Sequence, residues 1–130
     1  MIKAQDLRLN NYILHDGKPY KVVGLNDAEV SFFNEKDKCR WTVTSNKVEP
    51  IELTPELLGK IKGIEKSIHG DGYDYVTDDW TLSIDIKSGR ISVVTSRECE
   101  YFASDAAKYL HHLQNLVYGL SGGTELSITL

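Results

Sequence analysis

The chain has 130 residues, of which 41% are hydrophobic and 26% charged, and its formal net charge is −4. These proportions are typical of a globular domain, and no apolar run approaches the roughly 20 residues that a membrane-spanning helix needs. The first residues also lack the apolar segment of a secretory signal, so we expect a cytoplasmic protein with no membrane partner.

The charge is distributed unevenly along the chain. Residues 1–62 carry ten Lys/Arg against nine Asp/Glu, whereas residues 63–130 carry five against ten. A protein that binds duplex nucleic acid usually gathers its cations on one face, where they displace counterions from the phosphates. The second half of the chain argues against such binding, and the first half permits it.

The first 52 residues alternate between apolar and polar side chains in short runs, which predicts strands. These strands cover residues 11–15, 20–25, 29–33, 39–44 and 47–51. Asp16-Gly17 predicts a two-residue hairpin turn, because both positions of such a turn favour a positive φ. Short strands joined by tight turns indicate a small SH3-like β-barrel or curled sheet, an architecture that does not by itself define a function.

A short helix is predicted at the junction that follows, with Thr54 as its cap and Pro55 at its first position. We therefore expect residues 1–52 to form one lobe and residues 53–130 an α+β lobe, with a single compact domain as the alternative. The second lobe is predicted to be an antiparallel meander, with Ser88-Gly89 as one hairpin turn. Its predicted strands cover residues 73–76, 81–87, 90–95, 98–103 and 125–130.

Residues 105–120 give the strongest helix signal in the sequence. Apolar side chains recur there at the i, i+3, i+4, i+7 spacing of one helical face. Ser104 or Asp105 is the predicted N-cap, and Gly122-Gly123 is predicted to end the helix. Because the rest of the second half reads as strands, we expect the face formed by Leu110, Leu113 and Val117 to pack against residues 81–103.

A polar and aromatic strip lies on the other side of the predicted helix. It consists of His111, Gln114, Asn115 and Tyr118. We expect His111 to face solvent and the adjacent His112 to lie at the rim of the core. Side chains of neighbouring helical residues diverge by about 100°, so these two histidines are not expected to chelate one metal ion. The strip is the predicted surface for binding a protein, and a structural role for its amide pair is the alternative.

Little else in the sequence indicates chemistry. The motifs of serine hydrolases, phosphate-binding loops, zinc proteases and dinucleotide-binding folds do not occur. Cys39 and Cys99 stand alone, as reduced cysteines of a cytoplasmic protein do. Acidic and aromatic residues alternate over 71–80 without the spacing of a calcium loop, which favours a solvated loop, with a recognition loop as the alternative. We therefore expect no enzymatic activity, no cofactor and no tightly bound metal.

A nucleic-acid-binding first lobe is the main alternative to a protein-binding helix. Its candidate cations are Lys18, Lys21, Lys36, Lys38 and Arg40. Phe32, Phe33 and Trp41 could form a platform on which bases stack, although aromatic residues in strands more often belong to a core.

Three segments resemble a family of small uncharacterised proteins from Bacteroides-type bacteria, their phages and mobile elements. They are Leu7-Arg8-Leu9-Asn10-Asn11-Tyr12, Pro50-Ile51-Glu52-Leu53-Thr54, and His112-Leu113-Gln114-Asn115-Leu116 with the following Gly119-Leu120-Ser121-Gly122 and Glu125-Leu126. A glycine is common in that family where Asn10 stands here, and an aromatic residue where Val117 stands.

The resemblance implies an α+β fold, a cytoplasmic location and a phage or mobile-element origin, and it implies no activity. Together with the residues, it predicts a non-enzymatic module that binds an unknown protein partner or another copy of itself. Nucleic-acid binding through the first lobe is the alternative function.

Overall fold

Within the described residues, the α+β fold contains two antiparallel sheets of four strands and a C-terminal helix. The computed structural model describes residues 2–67, 72–95 and 108–130. The chain divides into two units, the first formed by Met1–Glu52 with Tyr109–Glu125 and the second by Leu53–Lys108 with Leu126–Leu130. No helix in the described ranges has the length and apolarity of a membrane span.

The first sheet is a meander in the order β1-β2-β3-β4. Its strands are β1 (Tyr12–His15), β2 (Lys18–Leu25), β3 (Glu29–Asn34) and β4 (Cys39–Thr44), preceded by a 3-10 turn at Ala4–Asp6. The hairpin between β1 and β2 confirms the predicted turn, since Asp16 and Gly17 have φ of 51° and 77°.

Alternate residues of these strands build the core of the first unit. Ile13, Val22, Val30 and Phe32 have no exposed surface and share one apolar cluster with Val48. The period of two that predicted the strands therefore also predicts which of their side chains are buried.

The expected fifth strand at 47–51 is reduced to a single antiparallel bridge. After β4 the chain forms a 3-10 turn at Ser45–Lys47, and Glu49 then makes one antiparallel bridge with Leu14 on β1. The two backbone hydrogen bonds of this bridge are both 2.9 Å long. The strands within the described residues thus form an open sheet and no closed barrel.

The second unit begins with helix α1 (Pro55–Leu58), whose first turn is capped as predicted by Thr54 Oγ1, 3.1 Å from the Leu57 amide nitrogen. Its sheet is β5 (Ile64–Lys66), β6 (Tyr73–Val76), β7 (Trp80–Asp85) and β8 (Arg90–Thr95), paired in that order. The pattern did not predict β5, which is only three residues long.

The two remaining predicted strands have different outcomes. The strand expected at 98–103 lies outside the described residues. The strand expected at 125–130 is one antiparallel bridge between Ile61 and Ile128.

Helix α2 (Leu110–Ser121) starts five residues later than predicted. Tyr109 is extended, with φ −125° and ψ 148°, because it forms an antiparallel bridge with Glu52. The predicted caps Ser104 and Asp105 lie outside the described residues. The helix ends as predicted, at Gly122 with φ 73°.

We expected α2 to cover the second sheet. The structure instead groups Tyr109–Glu125 with the first sheet, and α2 contacts β1. Leu110, Leu113 and Val117 are fully buried, as predicted. The apolar period of a helix predicts which face is buried, but it does not identify the element that covers that face.

Candidate functional site

The predicted strip on α2 is largely internal to the first unit. Gln114 is only 1% exposed. Its Oε1 accepts a hydrogen bond from the Tyr12 amide at 3.0 Å, and its Nε2 donates to the Asn10 carbonyl oxygen at 3.2 Å. One glutamine side chain thus satisfies two backbone groups where the chain enters β1, which is a structural role.

Asn115 acts in the same way, one residue along the helix. Its Oδ1 accepts from Asn11 Nδ2 at 2.8 Å, and its Nδ2 donates to the Asp6 carbonyl oxygen at 3.3 Å. The amide pair that we predicted as part of a protein-binding surface therefore fastens the N-terminal segment to the helix. Whether the four residues of the strip also touch a partner stays a prediction.

His111 is buried, whereas we expected it in solvent. Only 2% of its surface is exposed, and its Nδ1 is buried without a hydrogen-bond partner. Burial, reinforced by the neighbouring His112 and opposed by the charge of Asp6, lowers the pKa of His111 to about 4. The ring is therefore neutral at pH 7.

Tyr118 is partly exposed, but one face of its ring is covered. The Arg8 guanidinium lies 3.8 Å from the ring centroid, and its Nη2 donates to Glu125 Oε2 at 3.0 Å. The hydrogen bond from Arg8 lowers the pKa of the Glu125 carboxyl. Arg8, Tyr118 and Glu125 thus form a local cluster that holds the residues after the helix in place.

A more open surface lies on the first sheet, on the side opposite its buried cluster. Four side chains form a row across all four strands of this outer face. Tyr12 pairs with Lys21, and Phe33 pairs with Arg40. Because Val22 pairs with Phe32, antiparallel geometry also places Lys21 next to Phe33. We call these four residues the outer row; aromatic and cationic side chains alternate along it.

The outer row is accessible. Phe33 is 44% exposed, Lys21 and Arg40 are exposed, and Tyr12 is half-buried. The Lys21 ammonium lies 5.7 Å from the centroid of the Tyr12 ring, within the range of a cation–π contact. Val23, which is 43% exposed, adds apolar surface beside the row. The sequence analysis named Lys21, Phe33 and Arg40 as candidate nucleic-acid contacts. It did not place them with Tyr12 in one row, because register across strands is not visible in one segment.

A β-bulge in β2 shapes this face. The pairing with β3 shifts by one residue between Val22 and Gly24. Gly24 then leaves room for Arg40, because a Cβ at Gly24 would lie 2.0 Å from Arg40 Nη2. The absence of a side chain at Gly24 therefore lets the guanidinium lie close to the sheet.

The proposed stacking platform of three aromatic residues is wrong in its composition. Phe32 is fully buried on the inner face of the sheet, where its ring contacts those of Tyr20 and Trp41. Phe33 alone of the three faces outward, since successive strand residues point to opposite faces. Of the candidate cations, Lys21 and Arg40 lie in the outer row, and Lys36 and Lys38 lie at the β3–β4 turn.

A pocket of about 410 Å³ lies elsewhere in the first unit. Its lining consists of Ile2, Lys3, Asp6, Glu49, Pro50, Glu52, Tyr109, His111 and His112. The Tyr109 and His111 rings are nearly parallel, 5.9 Å apart with an interplanar angle of 8°. The His111 and His112 rings are 4.2 Å apart. Sequence reasoning missed this pocket because its acidic residues come from segments far from the helix.

The acidic and aromatic residues of 72–80 belong mostly to a hairpin of the second sheet. Thr77 closes the turn between β6 and β7, with its Oγ1 2.7 Å from the Trp80 carbonyl oxygen. Tyr75 stacks on Trp80, with ring centroids 5.8 Å apart, and Asp74 accepts a hydrogen bond from Ser83. Asp78 and Asp79 are exposed. Asp71 lies outside the described residues.

Across 2–67, 72–95 and 108–130, no group of three or more His, Cys, Asp or Glu side chains is placed to hold a metal ion. Cys39 is an exposed free thiol, and Cys99 lies outside those ranges.

Comparison of the chain with protein-family models, with curated proteins and with solved structures gives no match in any of the three. The outer row and the pocket must therefore be interpreted from their own geometry and charge.

Proposed function

We propose that the protein is a non-enzymatic interaction module that binds an acidic segment of a partner protein through the outer face of its first sheet. The observation that carries this proposal is the outer row of Tyr12, Lys21, Phe33 and Arg40. Aromatic residues and arginine contribute most of the binding energy at many protein interfaces, and exposed phenylalanine on a flat face is typical of such sites.

Charge complementarity supports an acidic partner. Lys21 on β2 and Arg40 on the edge strand β4 project from this face, and Val23 and Phe33 lie beside them as apolar anchors. Opposite charge on a partner would guide the encounter, and burial of the two apolar side chains would add affinity.

The proposed protein has an SH3-like first unit and a phage or mobile-element origin. The route from β4 through a 3-10 turn back to an antiparallel bridge with β1 favours an SH3-like arrangement for the first unit. The sequence resemblance supports a phage or mobile-element protein that acts in the cytoplasm.

Single-stranded nucleic acid is the second candidate ligand, and the same row favours it. Bases could stack on Phe33 and Tyr12 while phosphates contact Lys21 and Arg40. The net charge of −4 and the exposed acids Glu35 and Asp37 beside the β3–β4 turn reduce the attraction for phosphates, so we rank it second.

Site-specific photo-crosslinking tests the proposal in cells that naturally express the protein. A photoreactive residue would replace Phe33 and, as a matched control, the exposed Val76 of the second unit. We expect a discrete protein adduct from position 33, absent from position 76 and lost with Arg40→Glu. Equal adducts from both positions would contradict the proposal.

Nuclease treatment and a direct titration separate the two candidates. A nuclease-sensitive adduct would favour nucleic acid, as would micromolar binding of a single-stranded oligonucleotide at about 50 mM salt. That binding should weaken steeply with salt and disappear when Lys21 and Arg40 are replaced by glutamine.

A further inference from the structure

The pocket in the first unit carries an excess of negative charge. Asp6, Glu49 and Glu52 line it, and Lys3 is its single lysine or arginine. His111 does not offset this excess, because burial keeps its ring neutral by lowering its pKa to about 4. A ligand of this pocket should therefore be a cation, since an anion would meet three carboxylates.

His111 supplies an independent indication that something binds here. The side chain is 2% exposed, lines the pocket and has a buried ring nitrogen, Nδ1, without a partner. A buried polar atom left unsatisfied costs free energy, and such atoms are uncommon in native proteins. With the ring neutral, one nitrogen carries a lone pair that the N–H group of a ligand can satisfy.

The aromatic lining distinguishes between cations. Tyr109 and His111 are nearly parallel, and His112 lies close to both rings. A planar cation can lie against such rings and still direct several N–H donors at carboxylates in its plane, which an ammonium group cannot do as well. A bare metal ion is disfavoured, because the described ligands do not form a metal-binding group.

We propose that this pocket binds a guanidinium group, held by the carboxylates of Asp6 and Glu52, stacked against the ring of Tyr109 and donating an N–H group to the ring of His111. The guanidinium comes either from a free small molecule or from an arginine side chain of a peptide. The site is separate from the outer row, so this inference does not depend on the proposed function.

NMR titration of the full chain tests the inference, with the ring signals of Tyr109, His111 and His112 as reporters. The probes are agmatine as a free guanidinium compound, a capped peptide with one internal arginine, and the same peptide with lysine. We expect saturable shifts of these ring signals with agmatine or with the arginine peptide, and binding of the lysine peptide weakened at least about threefold.

Isosteric variants provide the control. Asp6→Asn with Glu52→Gln removes two charges from exposed side chains without changing their shape and should weaken guanidinium binding at least about tenfold. Glu56→Gln, on α1 and outside the pocket lining, should leave it unchanged. Unchanged backbone spectra of the variants would establish that they fold.

Comparison of agmatine with the arginine peptide also identifies the source of the guanidinium group. Binding of agmatine but not of the arginine peptide indicates a free small molecule, and the reverse indicates a peptide partner. Absence of ring shifts with both probes, equal binding of the lysine peptide, or unchanged binding by the double variant would each overturn the inference.

Discussion

The two sheets are built on the same plan but differ on the side that faces away from their buried residues. Both are antiparallel meanders of four strands. In the second sheet the corresponding row is Glu65, Asp74, Ser83 and Ser92, which has no aromatic or cationic member. Its two central side chains are short, and Asp74 accepts a hydrogen bond from Ser83. The outer row of the first sheet consists of long cationic and aromatic side chains.

This difference indicates which of the two sheets offers a binding surface. Short polar side chains on a sheet can satisfy one another and leave little for a partner to contact. Long side chains that project from a sheet present both apolar area and charge, which are the elements of a recognition surface. The first sheet is therefore the stronger candidate for a binding surface.

The largest effect should come from truncating the helix that belongs to the first unit. Leu113 is fully buried, so Leu113→Ala should lower the free energy of unfolding by about 2–5 kcal/mol. Leu120→Ala, at a 39% exposed position of the same helix, should cost under about 1 kcal/mol. Chemical denaturation measures both values.

Hydrogen exchange sharpens the same test. In Leu113→Ala the amides of β1 should lose more protection than those of β7, because α2 contacts β1. Equal loss in both strands would break the assignment of the helix to the first unit, and a destabilisation below about 1 kcal/mol would show that the buried face is misidentified.

A pH effect should follow from His111. Its pKa is about 4 in the folded protein against an ordinary 6.5, so the unfolded chain takes up a proton first as the pH falls. The contribution of neutral His111 to the free energy of unfolding should be fully present above about pH 6.5. It should be lost as the pH falls from about 6.5 to 4, by on the order of 3 kcal/mol. The other titratable or charged groups that line the same pocket are Lys3, Asp6, Glu49, Glu52 and His112.

His111→Phe provides the control for this effect, since it keeps a ring and removes the titration. Denaturation midpoints measured from pH 7.5 to 4.5 should decline less steeply in this variant than in the wild type. Parallel declines would mean that another group is responsible, and an NMR titration midpoint of His111 above 6 would contradict the burial argument.

Loss of the Gln114 amide should have a moderate effect. Gln114→Leu leaves the Tyr12 amide and the Asn10 carbonyl without their side-chain partner, and should cost about 2 kcal/mol. Gln5→Leu, at an exposed position, should change stability by less than about 0.5 kcal/mol. Similar values for the two variants in thermal unfolding would mean that the hydrogen bonds of Gln114 contribute little.

The smallest effect on stability should come from Gly24→Ala. The added methyl group meets the flexible end of Arg40, which can move away, and lies 3.2 Å from Ser31 Cβ, so we expect a cost of about 1 kcal/mol. The Arg40 guanidinium should nevertheless shift, which side-chain NMR of arginine would detect. Adduct formation at Phe33 should then weaken while the fold is retained; an unchanged Arg40 signal would contradict the close approach seen here.

The sequence predicts the local elements well where one signal dominates. The turn at Asp16-Gly17, the cap at Thr54 and the end of the helix at Gly122 follow from the conformational preferences of those residues. The start of α2 was misplaced because Tyr109 pairs with Glu52, a contact between distant segments that no local pattern contains.

The candidate sites were harder to predict for the same reason. His111 and Gln114 look polar and solvent-facing on a helical projection, but their burial depends on how the N-terminal segment passes beside the helix. The outer row requires the register of four strands. The pocket requires three distant segments, 2–6, 49–52 and 109–112, to come together. Long-range placement, unlike local conformation, is not encoded in the spacing of neighbouring residues.

The bulge in β2 has a consequence for changes in chain length. Val22 pairs with Phe32 and Gly24 with Ser31, so Val23 is the extra residue on its strand. Deleting Val23 would restore a regular ladder and leave every other β2 side chain on its present face, whereas deleting a residue such as Lys21 would reverse the facing of the residues beside it. The first sheet thus has one position at which a shorter homologue could keep the same core and lose only part of the outer face.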